Sequence, residues 1–258
     1  MIIAQISDTH IALDTPDTGQ RLQDFQSVIA DINALDPAPD VIVHTGDIVH
    51  NGREDEYAAA ASILEQAHAP VYVMVGNKDD RPNLRAAFSG SGYLDEGSQF
   101  IDYAVEDFSL RLIMLDTLSP GDNRGDFCAE RISRLTDMID AEGSRPIVVF
   151  THHPPFEVTV GPDPIHYRDL EAMSDLREAL RQSGRVAGVF CGHVHRATSG
   201  DIEGIPATVM PAVSTTLRKG EYPPHMTARP VYQVHRFAPD GQFVTETRIA
   251  GKPSQIVA

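Results

Sequence analysis

Six short apolar runs punctuate the chain: MIIAQI (1–6), VIVHT (41–45), VYVMV (71–75), LRLIML (110–115), PIVVFT (146–151) and VAGVFC (186–191). Their apolarity is continuous rather than alternating, as strands covered on both faces require, so each predicts a buried β-strand. Between them the period lengthens. RLQDFQSVIADINAL (21–35) sets Leu22, Phe25, Val28, Ile29 and Ile32 on one stripe and predicts an amphipathic helix. EDEYAAAASILEQAH (54–68) follows a loop at Gly52 and carries acids in its first turn, where the helix dipole favours them. Two further helices are expected near 129–141 and 168–183. The last third changes character: ATVMPAV, PVYQVHRF and QFVTETRI, with an Asp-Gly turn at 240–241, predict mostly antiparallel strands. The chain is therefore α/β, either one covered sheet or helix–sheet–sheet–helix layers, with its chemistry on loops at the strand ends.

Composition narrows the setting. With 258 residues, 41% of them hydrophobic, the chain can bury one large core, and Gly and Pro are too dispersed to mark a linker. One domain spanning 1–258 is expected, its strand-rich segment at about 205–250 completing the second sheet. Cys128 and Cys191 form no metal-type or redox pair. MIIAQISDTH lacks a basic leader and is too short in apolar residues to span a membrane, which points to a cytoplasmic protein. A formal charge of −16 argues against a nucleic acid polymer or an anionic membrane as partner. A small anionic substrate stays compatible, because metal ions can reverse the field locally.

Asp, Asn and His gather where the apolar runs stop. Asp8 and His10 follow the first, Asp47 the second and Asn77 the third; His152 and His153 end PIVVFTHHPP, and His193 and His195 follow VAGVFC. In a largely parallel sheet those ends share one edge, so the groups converge despite their separation in sequence. Asp-x-His and His-x-His add local pairs on one side of an extended segment. Singly each is ambiguous: Asp8 serves equally as a helix cap, His-His-Pro-Pro as a rigid turn, and His44 and His50 as ordinary polar neighbours of Asp47. Five together at strand ends point to metal.

The donors also select the chemistry. No thiolate is present, which disfavours soft-metal and structural zinc clusters. Four His, two carboxylates and one amide suit two borderline divalent ions, Mn, Fe, Co or Zn. A carboxylate such as Asp47 can bridge them, with the ions ~3.5–4 Å apart as in two-metal hydrolytic sites. Set against two aspartates and a hydroxide, such a pair keeps about one net positive charge, enough to hold a phosphate.

DTH (8–10), GDIVHNG (46–52), GNKD (76–79), HHPP (152–155) and GHVH (192–195) together resemble the calcineurin-like metallophosphoesterases, whose blocks occur here in order over roughly residues 1–215. The resemblance implies a four-layer αββα sandwich and two metal sites. One would take Asp8, His10, Asp47 and His195; the other Asp47, Asn77, His152 and His193, with a bridging hydroxide as nucleophile. LIMLDTLSPGDNRGDF (112–127), HHPPF, MPAVSTT (210–216) and YPPHMTARPVYQVHRF (222–237) look like the bacterial class III cyclic nucleotide phosphodiesterases and their glycerophosphodiesterase relatives. That branch implies small phosphodiester substrates.

The family places His where this chain has Lys78. That His is assigned to steadying the transition state or protonating the departing oxygen, a task that suits imidazole near neutrality. Three readings are open: Lys78 replaces it as a catalytic cation, or pairs with Asp79 or Asp80, or marks a changed substrate range or a disarmed binding module. His50, His153 and His225 are alternative proton sources. Asp116 and Asp126 are expected to shape turns beside the cleft, Arg124 to be an exposed loop arginine, and 156–170 to form a rim loop without a catalytic residue. The strand-rich C-terminal residues offer an edge for a homo-oligomer.

Overall fold

The computed structural model describes residues 1–141 and 143–251. In chain order the elements are β1 (Ile2–Ile6), α1 (Thr18–Asn33), β2 (Val41–His44), α2 (Glu54–Leu64), β3 (Val71–Val73), α3 (Arg81–Ala87), β4 (Tyr103–Val105), β5 (Arg111–Leu115), α4 (Ala129–Asp140), β6 (Ile147–Thr151), α5 (Leu170–Gln182), β7 (Val186–Cys191), β8 (Thr198–Ile202), β9 (Ile205–Val209), α6 (Pro224–Thr227), β10 (Val231–Phe237) and β11 (Phe243–Ile249). One sheet has the order β11-β10-β1-β2-β3 and the other β4-β5-β6-β7-β9-β8. β1, β2 and β3 run parallel, as do β5, β6, β7 and β9, with antiparallel strands at the margins.

Alternation along the central strands divides the core into layers. Leu112, Met114, Val148, Phe150 and Phe190 pack in one cluster with Ile3, Ile6 and Val43 of the first sheet. Their neighbours Ile113, Leu115, Val149 and Val189 pack instead with Leu135 and Ile139 of α4 and Leu176 and Leu180 of α5. α1 and α2 pack on the first sheet through Phe25, Val28, Ile29 and Tyr57. Each such side chain, fully buried, contributes ~1.5–3 kcal/mol. The result is the four-layer αββα sandwich. A polar tie crosses between the sheets: Gln5 Nε2 donates to Thr45 Oγ1 and to the Cys191 carbonyl, both at 3.0 Å, while His235 Nε2 donates to Gln5 Oε1 at 2.9 Å.

The C-terminal segment departs from expectation. Of residues 205–250 only β9 joins the second sheet; β10 pairs antiparallel with β1, and β11 with β10, so they complete the first. The backbone of β10 covers the edge of β1 that the parallel β1–β2 pair leaves unmatched. α3 was not expected from the sequence. Asp80 caps it, its side chain accepting Asn83 N at 2.9 Å, and Pro82 lies in its first turn, where no N–H is needed. Helix α2 stops at Leu64, short of the expected residue 68, and the chain leaves through turns before Pro70. Among the described residues no helix is long and apolar enough to cross a membrane.

Candidate metal centre

β1, β2 and β3 of one sheet and β6 and β7 of the other all point their C-terminal ends at one cleft, so the site straddles both sheets. Asp8, His10, Asp47 and His195 bring one donor atom each within 4.8 Å of one another. His10 Nε2 lies 3.0 Å from His195 Nε2 and 3.4 Å from Asp47 Oδ2, and His195 Nε2 lies 3.2 Å from Asp8 Oδ1. On the other side Asn77 Oδ1 sits 3.1 Å from His152 Nε2 and 2.8 Å from His193 Nδ1. Asp47 Oδ1 is 3.5 Å from His152 Nε2. One oxygen of Asp47 therefore faces each group.

The backbone is bent to make this possible. Asp8, His10, Asp47, His193 and His195 all have positive φ, between 46° and 73°. Such conformations cost non-glycine residues of order 1–3 kcal/mol each and persist only where surrounding bonds hold them. Here Asp8 N donates to Gly46 O, His10 N to Asp47 O, and His193 N to the Asp8 carboxylate. Gly76 is required by space: a Cβ there would lie 2.3 Å from Asp47 Oδ1.

Burial and charge among the protein groups themselves act on their protonation. Burial holds His10 neutral, down to about 3, against the pull of Asp47, and drives His193 well below its ordinary range, with His153 adding to the effect. Burial opposes charge on His152 too, but Asp47 outweighs it and raises the ring to about 9. Asp8 likewise outweighs burial at His195 and raises it. Burial would lift the Asp47 carboxyl; His152 and His10 override it and hold it well below the ordinary carboxylate range.

The donors fit divalent ions. His152 Nδ1 donates to the Thr45 carbonyl at 2.8 Å and His195 Nδ1 to the Leu217 carbonyl at 3.0 Å, which turns each Nε2 inward as a lone-pair donor. Nitrogen, carboxylate and amide oxygen, without thiolate, suit borderline ions. All seven ligands expected from sequence converge.

The other expected residues fall differently. His153 is grouped spatially with His152 and His193, yet its ring is engaged elsewhere: Nε2 donates to Asn123 O at 3.1 Å and Nδ1 accepts from Thr117 Oγ1 at 2.7 Å. Asn77 is the better fourth donor. His50 is not a bystander, since its Nδ1 meets His10 Nδ1 at 3.3 Å. His44 is structural, bonded to Thr9 Oγ1 at 2.9 Å. His225 is exposed on α6, outside the cleft. Asp116 is buried in a bidentate pair with Arg81, and Asp126 pairs with Arg131. Arg124 is exposed and bonded to Asp122.

The cleft above these donors has a volume of about 820 Å³, and residues 160–163, 165 and 166 form part of its wall, as a rim loop should. That loop does carry a residue the sequence reading passed over. His166 lies with its ring centroid 4.9 Å from that of His193, and among the described residues its buried Nε2 has no hydrogen-bond partner. Its only sequence signal is a histidine between Pro164 and Tyr167, too common to single out.

These features meet their counterpart in known proteins. The sequence is 30% identical, over 98% of this chain and 94% of that protein, to a probable glycerophosphodiester phosphodiesterase GpdQ of Arcobacter nitrofigilis. It is 27% identical to the 3',5'-cyclic adenosine monophosphate phosphodiesterase CpdA of Pseudomonas aeruginosa, over 76% of this chain and 70% of that one. In fold it superposes on a dimetal phosphatase from Danio rerio with a TM-score of 0.73, at 16% identity, covering 97% and 96% of the two chains. The calcineurin-like phosphoesterase family matches residues 1–197, and the chain, its Asp, Asn and His side chains gathered at the strand ends, belongs to that family of metal-dependent hydrolases.

Proposed function

We propose that the chain is a cytoplasmic phosphodiesterase that uses two divalent ions, drawn from Mn, Fe, Co and Zn, to hydrolyse small phosphodiesters. Candidate substrates are a cyclic nucleotide, a glycerophosphodiester or an aryl diester. The observation that carries the reading is the placement of Asp47, with Oδ2 facing His10 and Oδ1 facing His152. Asp8, His10, Asp47 and His195 would hold one ion, and Asp47, Asn77, His152 and His193 the other. When bound, such a pair supplies Lewis acidity toward phosphoryl oxygens and a water of lowered pKa.

The chain's own groups do the rest. Thr45, Leu217 and His50 orient the imidazoles, and Gly46 and Gly76 let the backbone of neighbouring loops approach them. Lys78, on the cleft wall, is placed to donate to a phosphoryl or leaving oxygen and to offset negative charge as the bond breaks. The diesterase assignment draws support from the names of the relatives, and the small substrate from the cleft's size and the net charge of −16.

The test is hydrolysis of bis(p-nitrophenyl) phosphate, p-nitrophenyl phosphate and cyclic AMP by metal-stripped protein given back Mn, Fe, Co or Zn singly. Diester turnover that appears only with metal and exceeds monoester turnover upholds the reading. A monoester preference makes it a phosphomonoesterase, and no turnover with any ion makes it a binding module.

A further inference from the structure

Acidic residues outnumber basic ones in this chain by 37 to 21, and its cations are for the most part matched. Arg53 pairs with Asp14, Arg81 with Asp116, Arg131 with Asp126 and Arg181 with Glu203. Others, such as Arg85, Arg185 and Arg218, bond backbone carbonyls. Arg196 and Lys219 do neither: among the described residues their side chains make no hydrogen bond and no ion pair. Both line the cleft, together with Lys78, whose amine bonds, among the described residues, only the neutral Asn123 Oδ1.

Their placement relative to the ligands is fixed by backbone. Arg196 directly follows His195, and Lys219 N donates to His195 O at 2.9 Å. Lys78 directly follows Asn77, and its N donates to Asp47 Oδ1 at 2.7 Å. Cations thus flank the ligand cluster on both sides. On the cleft wall the carboxylates are Asp47, which the metal reading already uses, and Asp163 on the rim loop. Like charges gathered with no carboxylate bonded to them raise the free energy of the cleft, and an anionic ligand recovers it. Two divalent ions with their two aspartates already match one phosphoryl group, so Arg196 and Lys219 are surplus to it. A volume of about 820 Å³ also leaves room for an arm of nucleoside size beside that group.

We propose that Arg196 and Lys219 form a second anion subsite, so that the preferred substrate is a phosphodiester bearing a further phosphate or carboxylate on one arm. The inference rests on the phosphodiesterase reading and names its substrate class.

The test uses Mn-loaded full-length protein and esters that share one scissile bond: the p-nitrophenyl ester of thymidine 5'-phosphate, its 3'-phosphate and its 3'-hemisuccinate. The 3'-phosphorylated ester should show kcat/KM about tenfold higher or more at low salt, since charge-assisted contacts of this kind are strong and screened by salt. In Arg196→Gln/Lys219→Gln, with two ions still bound, that advantage should fall to about twofold or less. A matching gain for the hemisuccinate assigns the subsite to anions in general, and its absence to phosphate. Equal kcat/KM for all three esters, or an advantage that survives in the double variant, overturns the proposal. If no ester turns over, the phosphodiesterase reading fails, and calorimetry judges the subsite alone. Tighter binding of thymidine 3',5'-bisphosphate than of thymidine 5'-monophosphate, abolished in the double variant, supports it, and equal binding overturns it.

Discussion

Lys78 Nζ donates to Asn123 Oδ1 at 2.9 Å, across the mouth of the cleft. Asn77, beside it in sequence, sends Nδ2 to the same oxygen at 3.3 Å. The two carboxylates that follow Lys78 are engaged otherwise. Asp79 accepts Gly76 N at 2.8 Å and Tyr57 OH at 2.9 Å, with Ile48 N and Val49 N both at 3.3 Å, and Asp80 caps α3. The ion-pair reading of Lys78 is therefore overturned. Its amine faces the cleft, held by a neutral partner that a phosphoryl oxygen can displace.

Lys78→Ala should lower kcat on cyclic AMP by about 10²-fold, the cost of losing one transition-state donor, and on bis(p-nitrophenyl) phosphate by much less. A nitrophenolate departs without help, whereas a ribose alkoxide does not. Lys78→His should recover part of the loss. The backbone bond from residue 78 to Asp47 survives both changes, so metal content should stay constant. Equal losses on both substrates would assign Lys78 to binding rather than to the departing oxygen.

Asp47 and Asn77 should differ in metal stoichiometry. Asp47 presents one oxygen to each group, so Asp47→Asn should weaken both ions and leave the purified protein with fewer than one per chain. Asn77 Oδ1 faces His152 and His193 alone among the candidate donors, so Asn77→Ala should retain about one, with the four donors of the other group intact. Metal analysis after dialysis reads this directly. Two ions retained by Asp47→Asn would exclude Asp47 as a bridge.

His50 should matter without touching substrate. With His10 Nε2 turned toward Asp47, the proton of His10 sits on Nδ1 and is shared with His50 Nδ1 at 3.3 Å. Partners of this kind orient a metal-bound imidazole, and losing one typically costs ~10–100-fold in affinity. His50→Ala should weaken Mn binding by that order, measured by calorimetry, while kcat at saturating Mn changes little. Unaltered Mn affinity would return His50 to the role of a bystander.

The candidate ligands were legible because each follows an apolar run that could only be a buried strand, and parallel strands put their ends together. Asp8, Asp47, Asn77, His152 and His193 needed no knowledge of which sheet each strand joined. What was hidden depends on contacts between distant loops. Nothing local in GNKDD says that Lys78 meets Asn123, and nothing in PDPIHY brings His166 beside His193. The destination of β10 was hidden for the same reason: VYQVH reads as a strand, but nothing in it says that its partner is β1, more than 220 residues earlier. α3 escaped because Pro82 reads as a breaker until Asp80 is recognised as its cap.

Asp102 gives a pH dependence that involves none of the candidate metal ligands. Burial, and then the neighbouring Asp116 carboxylate, push its pKa up to about 6, although Arg134 Nε donates to it at 3.2 Å and Asp116 N at 2.6 Å. Between pH ~4 and ~6 the folded chain keeps a proton on Asp102 that the unfolded chain has released, so stability falls as pH rises through that window. The penalty is absent below the ordinary carboxylate pKa and complete above about 6. Asp102→Asn removes the charge while its amide oxygen can still accept Asp116 N. Relative to wild type, the variant should therefore gain stability between pH 4 and pH 7, by up to about 3 kcal/mol. Urea unfolding of both proteins in chelator, at the two pH values, measures the difference. Parallel stability at both pH values would mean that Arg134 neutralises Asp102 fully and that burial does not govern its titration.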